Sequence, residues 1–230
     1  MKLNADQVER LYAFTRQHYV EYYDLQTELV DHLANAIEEQ WQQNPKLSFE
    51  EALQKEFKKF GVFGFMEVVE KRQAALNKKY NKLVWNELKA FFSLPKIIGT
   101  FAAIGIVFYL LKYFQKDVLM VQMGFLALVV FFFLGIFMLS RKNKKNHQKT
   151  GKKWLLKEII FGYGSLTGLM NLPIQLALQI KGENYHDWTL MLFSFLMIVM
   201  GLGEYIVLVL IPSQADKHLK ETYPEYEFVN

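Results

Sequence analysis

Val118–Leu139 reads VLMVQMGFLALVVFFFLGIFML, a run of 22 residues without a single charge. About 20 apolar helical residues are enough to cross the hydrocarbon core of a bilayer. Three further stretches match it: Ile97–Phe114, interrupted near its end by Lys112, then Ile159–Ile180, and Trp188–Ile211, whose only charge is Glu204. A buried helix of a soluble protein accounts for any one of these. Four in succession, with charged breaks between them, read as membrane spans. The expected fold is all-α, a small cytoplasmic helical domain followed by a four-helix transmembrane bundle.

The overall composition conceals this division. The chain has 230 residues, 52% of them hydrophobic and 22% charged, and its mean hydropathy is close to zero. Yet residues 1–95 carry 27 of the 50 Asp, Glu, Lys and Arg. Without cysteine there is no disulfide scaffold and no thiolate metal centre. The richness in aliphatic and aromatic residues excludes a disordered chain. The expected boundaries are a cytoplasmic helical domain at 1–80, an amphipathic connector at 81–95, four spans within 96–211 and a cytoplasmic tail at 212–230.

Loop charge sets the orientation. Arg141, Lys142, Lys144, Lys145, Lys149, Lys152 and Lys153 fall in one acid-free connection, while 115–117 and 181–187 are short and nearly neutral. Basic loops stay on the cytoplasmic side, which places both termini there. The expected location is a bacterial inner membrane, and the seven cations are candidate contacts for anionic lipid. Tyr185 and Trp188 are expected at an outer aromatic belt and Trp154 at the inner one. The N-terminus opens on a polar helix pattern rather than a cleavable signal.

The first 95 residues read as helices. Asn4 with Gln7 caps one that carries Val8, Leu11, Tyr12 and Thr15; a second, from near Asp24, bears the stripe Leu25, Leu29, Leu33, Ile37 and Trp41. Asn44-Pro45 stops it. Ser48 to Glu51 form a capping box for a third helix with Ala52, Leu53, Phe57 and Phe60 inside, ended at Gly61. A fourth is expected from about Phe65 to Phe92, its last turns amphipathic through Val84, Trp85, Leu88, Phe91 and Phe92. Ser93-Leu94-Pro95 is read as an elbow into the first span. Residues 1–56 hold 11 acids and 5 bases, a balance of −6, whereas 57–95 hold 3 acids and 8 bases, +5. The basic half suits a membrane surface and the acidic half a protein partner; DNA or RNA is not expected.

The run Glu28-Leu29-Val30-Asp31-His32-Leu33 with Ile37-Glu38-Glu39, then Ser48-Phe49-Glu50-Glu51-Ala52-Leu53 and Phe60-Gly61, resembles the HAAS-type helical domains of bacteria. The resemblance covers roughly residues 5–75. It implies a helical domain ahead of several spans and a signalling role, often beside PadR-like transcription regulators. It implies no catalytic residues.

Glu28, Asp31 and His32 share one helical turn, but the Glu-to-His spacing is four and no second copy occurs, so a solvated or internally bonded face is expected rather than a metal centre. Phosphate loops, nucleophile elbows and HExxH are missing, and neither enzyme activity nor a cofactor is expected. Glu204 stands out, because ionisable residues within spans normally face protein or water. With Tyr163, Ser165, Asn171 and Gln175 it makes a candidate intramembrane polar site. Tyr163 and Ser165 are its expected partners on depth matching; Asn171 and Gln175 lie on one face of the same span. Two functions fit: a non-catalytic signalling or adaptor protein whose head binds a cytoplasmic protein or a second copy, and a small transporter or channel subunit built around Glu204.

Overall fold

The computed structural model describes residues 2–114, 118–162, 171–180, 185–223 and 226, less the side chains of 146, 147, 149 and 150. Among the described residues all regular structure is helical. The chain divides into two compact units, one of Met1–Leu76 with His147–Glu158, the other of Asn77–Asn146 with Ile159–Asn230.

The first unit begins with α1 (Ala5–Gln17). Asn4 Oδ1 accepts from the Gln7 backbone N–H at 2.8 Å while the Asn4 N–H donates to Gln7 Oε1 at 3.0 Å, the expected reciprocal cap. Its far end is a Schellman turn: the Val20 N–H donates to the Thr15 carbonyl and the Tyr19 N–H to that of Arg16, both at 3.1 Å. Tyr19 therefore takes the left-handed position, φ 64°, usually left to glycine. α2 (Tyr23–Gln43) carries the stripe as expected, with Leu25, Leu29, Leu33, Ile37 and Trp41 all buried. Its partners are α1 and α3 (Phe49–Phe57). Ser48 and Glu51 cap α3 reciprocally, and a 3-10 turn, Lys58–Phe60, leads to Gly61.

The unit's second stretch departs from expectation. The basic segment was expected as a loop, but α6 (Val118–Thr150) runs through it to a left-handed Gly151, φ 64°. Lys and Arg are good helix formers and favour the C-terminal end of a helix dipole, so five of the seven cations extend the helix. Trp154 was expected at a lipid interface. Instead it is 1% exposed and packs edge-on against Tyr23, centroids 5.3 Å apart. The Tyr23 N–H donates to the Lys153 carbonyl at 2.7 Å, the Leu155 N–H to Asp24 Oδ1 at 3.0 Å, and Lys153 Nζ to Glu21 at 3.0 Å. Leu155 and Leu156 are buried beside them. An indole finds more apolar contact against that helix than at an interface, and the helix start supplies the hydrogen bonds.

α4 (Met66–Phe91) links the units and ends one residue inside the expected bounds, before the Ser93-Leu94-Pro95 break. Among the described residues of the second unit, three helical stretches are long and apolar enough to cross a membrane: α5 (Lys96–Phe114), Val118–Lys145 of α6, and Asp187–Ser213. The last comprises α9 (Asp187–Tyr205), a π-helical turn (Ile206–Leu210) and the short α10 (Ile211–Ser213). α5 and α9 are antiparallel: Lys112 Nζ meets Asp187 Oδ2 at 2.7 Å at one end, and Phe91, before α5, stacks edge-on against Tyr205 at the other. α6 and α9 are parallel, since Gly124 faces Met197, Leu128 faces Gly201 and Gly135 faces Leu208, each pair 73 residues apart. A Cβ on Gly135 would lie 2.6 Å from Leu208 Cδ1, so the two helices approach across glycine.

Of the expected third span, residues 163–170 lie outside the described ones. α7 (Leu155–Phe161) and α8 (Asn171–Gln179) flank them. Lys142 Nζ sits 5.6 Å from the Phe161 ring centroid, and Gln122 Nε2 donates to the Ile180 carbonyl at 2.7 Å. Ala177 and Ile180 join Leu111, Val121, Phe125, Leu190 and Met197 in one buried cluster. The expected tail contains an ordered helix, α11 (Ala215–Thr222), with Ala215 and Leu219 buried and Thr222 bonded to Lys79 at 2.9 Å.

Candidate functional site

Glu204 occupies the stripe of α9 that meets α6. It falls between Gly201 and Leu208, both of which touch α6, at the i+3 and i+4 spacings that share a helix face. The residue is 5% exposed, and neither carboxylate oxygen has a hydrogen-bond partner among the described residues. Directly after it the helix widens into the π turn Ile206–Leu210. Such turns shift helical register by one residue and are frequent at functional sites. An ionised group on a spanning helix costs about 2.5–3.5 kcal/mol at mid-membrane. A carboxyl held there without a fixed partner can take up or release a proton, or accept a bond from a donor brought to it.

The expected partners are divided. Tyr163 and Ser165 lie outside the described residues. Asn171 and Gln175 share a face, with Gln175 Nε2 donating to Asn171 Oδ1 at 3.3 Å, and both are exposed. Among the described residues, no hydrogen bond joins either to Glu204. The other buried polar side chains of the spans are satisfied locally: Ser194 Oγ donates to the Leu190 carbonyl at 2.7 Å and Thr100 Oγ1 to that of Phe91 at 2.9 Å. Glu204 differs from Ser194 and Thr100 in having no hydrogen-bond partner among the described residues.

The candidate lipid contacts fall in two groups. Arg141, Lys142, Lys144 and Lys145 are exposed along α6, Arg141 stacking over Phe137 at 4.1 Å; of the Lys149 side chain nothing is described. Lys152 and Lys153 belong to the head. Lys152 lies 4.2 Å from the Tyr23 ring centroid, and the hydrogen bond that Lys153 Nζ donates to Glu21 raises the pKa of its ammonium above the usual lysine range.

In the head, Glu28 and His32 serve different partners. Glu28 faces Arg72 at 3.8 Å, whereas His32 lies 3.6 Å from Glu56. Glu56 is 3% exposed and also pairs with Lys59 at 2.6 Å. Asp24, a buried carboxylate that accepts the Leu155 N–H, is a structural position that sequence reasoning passed over. Its role as acceptor for a residue 131 positions away leaves no local signal.

Comparison with protein-family models, curated proteins and solved structures finds no match to this chain.

Proposed function

We propose that this is a multi-pass bacterial inner-membrane adaptor whose cytoplasmic head binds a protein partner or a second copy of the chain and transmits that event to its spans, without catalysis. One observation carries the reading: the connection leaving α6 is built into the head. Trp154, Leu155 and Leu156 are core residues there, bonded through Asp24 and Tyr23. The chain therefore passes between the head and the unit of apolar helices at three points, after Leu76, before His147 and after Glu158. Within the head, a change at the start of α2 reaches the 147–158 segment through packed groups. The HAAS-like pattern of residues 5–75 agrees with such a role.

Four crossings with both termini cytoplasmic fit this reading. Parallel α6 and α9 require the chain between them to return to its starting side. Its ends support that path, because Phe161 lies beside Lys142 and Ile180 beside Gln122. The two α6 positions are 20 residues apart (142 − 122), about 30 Å at 1.5 Å per residue.

The test uses the chain's lack of cysteine. A photo-crosslinker attached through Glu39→Cys, on the exposed acidic face of α2, should capture a cytoplasmic protein or another copy in cells. A crosslinker that captures nothing, in cells whose behaviour is unchanged when the head is deleted, refutes the adaptor.

The burial of Glu204 beside a π turn favours a second reading, a small transporter or channel subunit. In proteoliposomes, Glu204→Gln would then abolish flux with the fold retained. Under the adaptor reading Gln is tolerated, because an amide still donates and accepts.

A further inference from the structure

The turn between α3 and α4 has a construction that folding alone does not require. Phe60 and Phe65 on either side of it point inward. Phe65 is 1% exposed and packs edge-on against Phe14, His18, Phe57 and Phe60, with centroids 4.9 to 6.1 Å away. Between these anchors, Val62 is 98% and Phe63 74% exposed. Two glycines hold the shape. Gly61 takes φ 75°, ψ −161°, a region open essentially to glycine, and Gly64 takes φ 54°, with the Phe57 ring 3.0 Å from where its Cβ would stand. The tip is thus a rigid, doubly anchored loop presenting two bare apolar side chains.

The apolar face extends past the tip. Met66 is 51% exposed, and together with Tyr19, His18, Val69 and, at the edge, the exposed Glu70 it borders a shallow hollow of about 430 Å³. Tyr19 is 84% exposed at a left-handed position where glycine would be less strained. Cations surround the tip: residues 55–72 contain Lys55, Lys58, Lys59, Lys71 and Arg72 against Glu56, Glu67 and Glu70, a balance of +2. Glu56 is buried and paired with Lys59, and Glu67 pairs with Lys71 at 2.6 Å, so Lys55 and Lys58 flank the tip as exposed cations among the described residues.

We infer that this loop inserts Val62 and Phe63 into the interfacial region of the bilayer that holds the chain, with Lys55 and Lys58 against anionic lipid headgroups. Apolar side chains with adjacent cations match the layering of a membrane surface, where apolar groups enter the acyl boundary and Lys meets phosphate. One weak insertion suffices here. The spans already tether the head, so docking is intramolecular and its effective concentration high. Insertion would fix the head at the surface, and anything that covers the loop would release it. The inference rests on the membrane reading above.

The test is nitroxide accessibility on the full chain in nanodiscs, using single cysteines at Phe63→Cys, Phe101→Cys and Glu39→Cys. Phe63 and Phe101 are 74% and 60% exposed, and Glu39 is exposed, so labels there leave the core intact. In bilayers containing anionic lipid, the label at 63 should collide with oxygen more than with a water-soluble nickel complex. That at 39 should behave oppositely. Zwitterionic lipid alone, or the added pair Lys55→Glu and Lys58→Glu, should move the label at 63 toward water. A label at 63 that stays water-accessible in anionic bilayers overturns the inference, as does one shielded from both reagents, which signifies cover by protein. An unchanged signal with the charge pair reversed overturns the anionic contact. A water-accessible label at 101 would remove the membrane reading itself, so the two failures are separable.

Discussion

Trp154→Ala would separate the 147–158 segment from the head. Trp154 is 1% exposed and lies edge-on against Tyr23 at 5.3 Å, next to buried Leu155 and Leu156. Truncating a fully buried Trp to Ala costs about 3–5 kcal/mol. At 1.4 kcal/mol per tenfold, that multiplies the open population of the segment by roughly 10² to 10³·⁵. Global melting is a poor reporter in a chain of two units, where two-state behaviour is not assured. Hydrogen exchange resolves local opening instead. The informative amides are Tyr23, which donates to the Lys153 carbonyl, and Leu155, which donates to Asp24. Both should exchange faster in Trp154→Ala by about that factor, while amides within α9 keep their protection. Asp24→Ala should act in the same direction by about 1–3 kcal/mol, since it leaves a buried N–H without its acceptor. If Tyr23 and Leu155 are as protected in Trp154→Ala as in the parent, the 147–158 segment does not hold the head, and the observation behind the adaptor reading fails.

Leu33→Ala, at a fully buried position of the α2 stripe, should cost about 2–5 kcal/mol and be read as lost exchange protection in α1 and α2. Gly64→Ala combines a strained φ of 54° with a Cβ 3.0 Å from the Phe57 ring; it should destabilise the head by roughly 1–3 kcal/mol, whereas Gly99→Ala, which meets open space, should be neutral in the same exchange assay. Burial pushes the Tyr80 phenol up to about 12 from its usual 10, so the folded state favours the neutral form. That stabilisation is complete below pH 10 and is lost as pH rises toward 12. Burial and the Asp216 contact push the Tyr226 phenol up to about 12 as well, so Tyr80→Phe should lower the amplitude of the phenolate absorbance titrating near pH 12 without removing it; an unchanged amplitude would show that Tyr80 is not one of the buried phenols. Because neither Glu204 oxygen has a hydrogen-bond partner among the described residues, Glu204→Leu should leave the bundle at least as stable as the parent, as judged by unfolding in mixed micelles; a marked loss of stability would show that the carboxyl is bonded.

What was legible in the sequence was what is local. Asn4 with Gln7 and Ser48 with Glu51 cap their helices across three residues, and the α2 stripe follows from a spacing of four, so each is determined within one or two turns. The Pro95 break and the long apolar helices are equally local. The errors arose where distant residues compete. Lys and Arg between 141 and 149 carry both a charge signal, read as a loop, and a helix propensity, which prevailed. Trp154 resembles an interfacial anchor until Tyr23, 131 residues earlier, is brought beside it. For Glu204, its burial could be expected from the energetic penalty of exposing a carboxylate to lipid. Its lack of a partner among the described residues could not, because hydrogen bonding depends on side-chain placement across helices.

The discontinuous head also sets an order of events during synthesis. Chain elongation adds about 5–20 residues per second, and domains fold from the N-terminus as they emerge. Leu76 closes the first stretch of the head, but Glu158, which closes the second, is 82 residues later (158 − 76). The delay is roughly 4–16 s at those rates. Throughout it, the start of α2 lacks its indole cover and its bond to the Lys153 carbonyl, while α5 and α6 are being made. The head can be completed only after α6 has been made, so its last packing step necessarily follows the synthesis of the first two long apolar helices.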